Sequence, residues 1–66
     1  MTERDQQIAR VRRLRNARLA ATDWTQLGDA PILGEQAAAW RVYRQQLRDL
    51  PATADAEGNV VWPSRP

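Results

Sequence analysis

The chain has 66 residues and a formal net charge of +2, and all ten of its basic residues are arginine. Cysteine and histidine are absent, which excludes disulfides, nearly all zinc sites and the common nucleophile–base pairs. On this inventory we expect no enzyme, no cofactor and no metal. A domain of this size buries only about 60% of its unfolded surface, so its unfolding free energy should be only roughly 3–8 kcal/mol.

The first predicted element is a helix over residues 2–21. No glycine or proline interrupts it, and it is rich in glutamine, alanine, arginine and leucine, which lose little on entering a helix. Its apolar stripe is thin, because arginines are spread over most of the circumference. We therefore predict that this helix binds a partner or self-associates. The residues expected to do so are Arg10, Val11, Arg13, Leu14 and Arg18.

Residues 22–31 form a predicted connector, because threonine and aspartate end the helix and the sequence Asp-Ala-Pro enforces a turn or an extended backbone. Trp24 in this polar loop is expected to lie in the core, since so large an apolar surface gains from burial. Asp23 and Asp29 are interpreted as caps of backbone N–H groups in the turns. A catalytic carboxylate pair would need a pocket around a substrate, which so small a chain can hardly build.

A second helix is predicted over residues 35–50, and Pro51 ends it because proline cannot continue a helix. One seam recurs at helical spacing and consists of Gln36, Trp40, Tyr43, Leu47 and Leu50. Arg41, Arg44 and Arg48 are expected beside or behind this seam. The seam predicts packing within the core, and the alternative is a groove-binding face for a partner.

After Pro51 the composition changes to small and polar residues that are typical of a loop. Residues 59–63 should then be extended, because a glycine precedes them and a proline ends them. Alternation along this extended tail places Val60 and Trp62 on one side. The tail is therefore expected to lie across the helices and close the core.

These elements predict a mainly α fold, a small helix–loop–helix with an extended C-terminal tail that closes a tryptophan-rich mini-core. The expected core consists of Trp24, Trp40, Tyr43, Leu47, Leu50 and Trp62. We find no repeat and expect one domain over residues 1–66. No apolar run approaches the roughly 18 residues of a membrane span, and the charged N-terminus lacks the apolar segment of a signal peptide, so a cytoplasmic protein is expected.

Three motifs follow one another along the chain: Thr22-Asp23-Trp24-Thr25, the run Tyr43-Arg44-x-x-Leu47-Arg48-Asp49-Leu50-Pro51, and Trp62-Pro63. In composition, order and spacing they resemble the phage tail assembly chaperone family, over roughly residues 11–63. The resemblance implies a non-catalytic protein-binding factor that assists the assembly of a bacteriophage tail or tail fibre in the host cytoplasm. Its expected partner is a phage tail or tail-fibre protein.

Two alternatives remain open at this point. The first is a minor structural subunit of the virion tail, and the second is a small arginine-rich nucleic-acid-binding protein. Nucleic acid is disfavoured because eight acidic residues offset the arginines, and the arginines of the first helix point in several directions instead of sharing one face. Any nucleic-acid binding is expected to be weak and nonspecific.

Overall fold

The computed structural model describes residues 2–66, which occupy an elongated volume of 43 × 16 × 13 Å. Helix α1 spans Glu3–Thr22 and helix α2 spans Gly34–Asp49. A short 3₁₀ turn follows each helix, at Asp23–Gln26 and at Leu50–Thr53. Residues 2–66 contain no strand, so the predicted mainly α helix–loop–helix is confirmed.

Reciprocal hydrogen bonds define where α1 begins. The hydroxyl of Thr2 accepts from the backbone N–H of Asp5 at 3.1 Å, and the Asp5 carboxylate accepts from the N–H of Thr2 at 3.3 Å. This capping box satisfies two backbone donors that a helix start leaves unpaired. At the start of α2, the side chain of Gln36 accepts from the N–H of Leu33 at 2.9 Å. Gln36 is exposed and acts as a cap, although its spacing placed it in the predicted seam.

The two helices are antiparallel, because residue numbers fall along α2 as they rise along α1 in the contacts between them. Arg15 donates to the carbonyl of Arg48 at 3.4 Å, whereas Asp23 lies beside Arg44. The buried apolar side chains of residues 2–66 are Val11, Tyr43, Leu47 and Leu50. One stripe of α2 and one residue of α1 thus form the centre of the core.

Trp24 is 45% exposed, so the prediction that it lies in the core is wrong. It belongs to the 3₁₀ turn after α1, in which its neighbour Thr25 points inward and donates to the carbonyl of Thr22 at 2.7 Å. With Thr25 buried, the adjacent side chain is directed toward solvent. Trp40 and Trp62 are half-buried at the edge of the core, which is therefore less tryptophan-rich than the sequence suggested.

Arg44 is buried and joins α2 to the end of α1. Its guanidinium donates to the carbonyl of Leu19 at 2.8 Å, to the hydroxyl of Thr22 at 2.9 Å and to Oδ1 of Asp23 at 2.6 Å. Arg44 lies beside the seam, as its spacing predicted, but it is buried, because the carbonyl and hydroxyl acceptors of α1 draw it inward. Asp23 pairs with this guanidinium and makes no side-chain cap in the turn, contrary to its predicted role.

A tight loop at residues 55–59 sets the course of the tail. The Asp55 carboxylate accepts from the N–H groups of Glu57 and Asn59, both at 2.9 Å. Gly58 has a φ of +84°, and a Cβ atom there would lie 3.0 Å from Cβ of Gln7. Glycine is required on both counts, since it alone adopts this φ readily and leaves α1 room to approach.

The tail then runs along α1 in an extended conformation. Arg4 donates to the carbonyl of Asp55 at 3.1 Å near the start of α1, and Arg18 lies over the ring of Trp62 near its end. Val60 and Trp62 are half-buried and Val61 is exposed, which is the alternation that the sequence predicted. Over residues 2–66, neither helix has the length and apolar content that would let it cross a lipid bilayer.

Candidate protein-binding surface

An open groove of about 420 Å³ lies on the side of α1 next to the tail. Its lining residues are Leu14, Ala17, Arg18, Ala21, Tyr43 and Arg65, which we call the α1 groove. Leu14, Ala17 and Ala21 follow one another at spacings of three and four, so they form one stripe along the helix. Leu14 is 47% exposed, although it is the largest aliphatic side chain of the stripe. The groove is an apolar surface that nothing in residues 2–66 covers.

A row of aromatic rings extends this surface toward the end of α1. The ring centroids of Trp24 and Trp40 are 6.4 Å apart at an interplanar angle of 54°, and those of Trp40 and Tyr43 are 5.7 Å apart at 83°. Tilted and edge-to-face pairs are the favoured arrangements of aromatic side chains. The row therefore holds Trp24 in a defined position while leaving it accessible to a partner.

Guanidinium groups form the polar walls of the groove. The Cζ atom of Arg18 lies 4.2 Å from the ring centroid of Trp62, and that of Arg65 lies 5.8 Å from the centroid of Trp40. Both distances fall within the range of cation–π attraction, which orients each guanidinium over a ring face. The tail thus contributes to the groove by placing Arg65 opposite α1 and by fixing Arg18 on it.

The structure separates the five predicted partner-binding residues. Leu14 and Arg18 line the groove, and Arg10 and Arg13 are exposed on α1 beyond its edge. Val11 is only 2% exposed and lies in the core, so its predicted role in contacting a partner is wrong. On α1 it lies about 60° around the helix from Leu14.

Sequence reasoning missed three of the groove residues. Ala17 and Ala21 share the helical spacing of Leu14, and this spacing was a usable signal that the abundance of arginine obscured. Arg65 gave no signal in the sequence, because its place depends on the path of the whole tail. The predicted seam residues Tyr43, Leu47 and Leu50 are buried, and only Tyr43 also reaches the groove.

The groove holds little that could perform acid–base chemistry or bind a metal. No carboxylate is among the described residues that line it. Across residues 2–66 there is no group of three or more acidic side chains placed to hold a metal ion. Hydrogen bonds from the N–H groups of Asn59 and Glu57 lower the pKa of Asp55 below its ordinary value of 3.8, but this carboxylate lies in the tight loop before the tail. The arrangement suits binding of another macromolecule.

A family model described as phage tail assembly chaperone protein matches residues 8–66. The match includes most of α1, all of α2 and the tail. The chain belongs to the phage tail assembly chaperone family. Comparisons with curated proteins and with solved structures find no match.

The motifs that resemble the phage tail assembly chaperone family have clear structural tasks in this chain. Thr22, Asp23 and Arg44 form the hydrogen-bonded junction between the helices. Leu47 is buried in the core, and Trp62 packs beneath Arg18 on the tail. The stripe of the α1 groove lies outside these motifs. In this family member, the motifs therefore build the scaffold, and they also contribute Trp24 to the exposed surface and Tyr43 to the groove.

Proposed function

We propose that the chain is a non-catalytic protein-binding factor that assists phage tail or tail-fibre assembly in the host cytoplasm by holding a tail protein in the α1 groove. The family supports a role in tail assembly. The observation that carries the binding role is the exposed apolar surface from Leu14 to Trp24, which are 47% and 45% exposed. Large apolar side chains left exposed beside a groove are typical of an interaction site.

The proposal assigns no reaction to the groove. Its lining presents alkyl groups, the ring of Tyr43 and the guanidinium groups of Arg18 and Arg65. Arginine stays protonated and donates hydrogen bonds to carboxylates and carbonyl oxygens of a protein partner. Apolar contacts in the middle with arginines at the rim are the usual composition of a protein–protein interface.

Deleting the gene from the phage that carries it tests the tail-assembly role. We expect lysates in which electron microscopy shows heads without complete tails or tail fibres, and we expect the wild-type chain supplied from a plasmid to restore them. Normal tails on particles made without the protein would contradict the proposal.

Mass spectrometry of purified particles then separates a helper from a structural component. A chaperone is released after assembly, so its peptides should be absent from particles that contain the expected tail proteins. A fixed number of copies per particle would instead assign the chain as a minor structural subunit of the virion tail.

A further inference from the structure

We infer that the segment bound in the α1 groove is an acidic amphipathic helix of a tail protein. This inference rests on the proposed function and specifies the partner of the same site. Residues 6–22 of α1 contain five arginines and no acidic residue. Among residues 2–66 the one ion pair joins Arg44 to Asp23, so the arginines of α1 have no carboxylate partner.

Helical geometry places these cations around the apolar stripe. At about 100° per residue, Arg10 lies about 40° from Leu14 around the axis and one turn before it, while Arg13 and Arg18 lie on the two flanks of the stripe. Arg65 of the tail faces the stripe from the other wall. Arg10 and Arg13 are exposed and donate no hydrogen bond within the described chain. A complementary partner therefore carries carboxylates on both sides of an apolar stripe.

The shape of the groove favours a helix over an extended strand. A strand that adds to a surface needs free backbone N–H and C=O groups, and those of α1 are paired within the helix. A helix needs only a matching stripe of side chains. Leu14 and Ala21 are separated by about 10 Å along the axis, which corresponds to the i, i+3, i+7 spacing of an amphipathic helix.

A phosphate backbone would satisfy the arginines but not the rest of the surface. Phosphate contacts use cations and leave apolar side chains such as Leu14 and Trp24 exposed to water. Burial of an apolar side chain is favourable in proportion to the area removed from water. A partner that offers both carboxylates and apolar side chains covers the whole surface, so a protein helix is favoured over a nucleic acid.

Photo-crosslinking in phage-producing cells tests the inference. A photoreactive phenylalanine is placed in the full chain at Ala20, which is exposed on α1 about 60° around the axis from Ala17 of the stripe. The control carries it at Val42, which is exposed on α2 away from the groove. We expect the Ala20 probe alone to link to a tail or tail-fibre peptide with helically spaced apolar residues flanked by Asp and Glu.

A synthetic peptide of the linked segment then measures the charge requirement. Arg10→Glu should weaken its binding to the full chain by about tenfold in near-physiological salt, because a carboxylate would face a carboxylate. Arg12→Glu is the matched control, because it makes the same charge change about 160° around α1 from Leu14. Circular dichroism spectra of both variants should match wild type.

Several results would overturn the inference. They are no crosslink at Ala20, a crosslink to nucleic acid or to a second copy of the chain, a linked peptide without acidic residues, and equal loss of binding with Arg10→Glu and Arg12→Glu. A linked tail-protein segment that is not acidic removes the inference and leaves the proposed function in place. Normal tails on the gene-deleted phage would contradict the proposed function itself.

Discussion

Helix α2 has 16 residues and buries Tyr43, Arg44 and Leu47, whereas α1 has 20 residues and fully buries only Val11 and Thr22. The shorter helix supplies the two largest fully buried side chains, Tyr43 and Leu47, and the longer one leaves most of its surface accessible. Tyr43 and Leu47 of α2 are covered, whereas Leu14 of α1 is 47% exposed and Val42, on another side of α2, is 61% exposed. Under the proposed function, stability and binding depend on different helices, so substitutions should separate the two properties.

The largest expected effect is on the core side of α2. Leu47 has no exposed surface, so Leu47→Ala should lower the free energy of unfolding by about 2–5 kcal/mol through lost burial and a cavity. That loss is comparable to the total stability of a chain of this length, about 3–8 kcal/mol. Urea titration followed by circular dichroism measures it. Val42→Ala is the control, since Val42 is 61% exposed, and its stability should stay within about 0.5 kcal/mol of wild type. Equal losses in both variants would place the core elsewhere.

The junction between the helices should give the next largest effect. Arg44→Met keeps an unbranched side chain but removes the guanidinium that donates to the carbonyl of Leu19 and to the hydroxyl of Thr22, which should cost about 1–3 kcal/mol. Asp23→Asn should cost less than about 1 kcal/mol, because the side chain of Asp23 is 66% exposed and water can replace the lost charge pair. Thermal melts of the two variants decide the order. A larger loss for Asp23→Asn would show that the ion pair, and not the bonds to α1, holds the junction.

A substitution at Gly58 tests whether the loop at residues 55–59 packs against α1. Gly58→Ala should destabilise the protein by about 1–2 kcal/mol, because its backbone has φ of +84° and the added Cβ would lie 3.1 Å from the carbonyl oxygen of Arg4. Gly34→Ala serves as control, since nothing lies within 4 Å of its added Cβ at the start of α2. Its stability should be unchanged or slightly higher. Matching melting temperatures for the two variants would mean that the loop does not dock on α1.

The smallest expected effect concerns pH and the same loop. Because hydrogen bonds lower the pKa of Asp55, its contribution to stability is present above the ordinary value of 3.8 and is lost as the pH falls through the lowered pKa. Asp55→Asn keeps an acceptor oxygen but no longer titrates. Below about pH 4, the stability of this variant should therefore fall less steeply than that of wild type. Acid unfolding followed by circular dichroism measures the difference. An identical acid transition in both proteins would exclude this contribution.

The burial of a side chain could be predicted from the sequence where spacing along one helix alone decides it. The seam residues Tyr43, Leu47 and Leu50 are buried because their spacing on α2 leaves them no other side to face. Arg44 could not be predicted in the same way. A buried guanidinium needs acceptors, and these come from α1 only after the turn between the helices has formed.

The candidate site was predictable in part for a related reason. Leu14 and Arg18 were expected on the binding face because α1 has a thin apolar stripe, and both line the groove. Val11 was grouped with them, although only the packing of α2 reveals which side of α1 is covered. The exposure of Trp24 depends on the inward direction of Thr25, and the position of Arg65 depends on the path of the tail. Neither feature leaves a periodic pattern in the sequence.

The central claim is that the α1 groove binds a tail protein and is separate from the core. Its most direct test compares Leu14→Gln with Val42→Gln, two substitutions of exposed apolar residues on different helices, for their ability to restore tailed particles to the gene-deleted phage. Both should unfold within about 0.5 kcal/mol of wild type. Burying a leucine in an interface contributes about 1.5–3 kcal/mol, so Leu14→Gln should lower the yield of tailed particles by roughly tenfold or more, while Val42→Gln restores it fully. Full restoration by Leu14→Gln, with wild type required for tails, would contradict the claim that this groove performs the function.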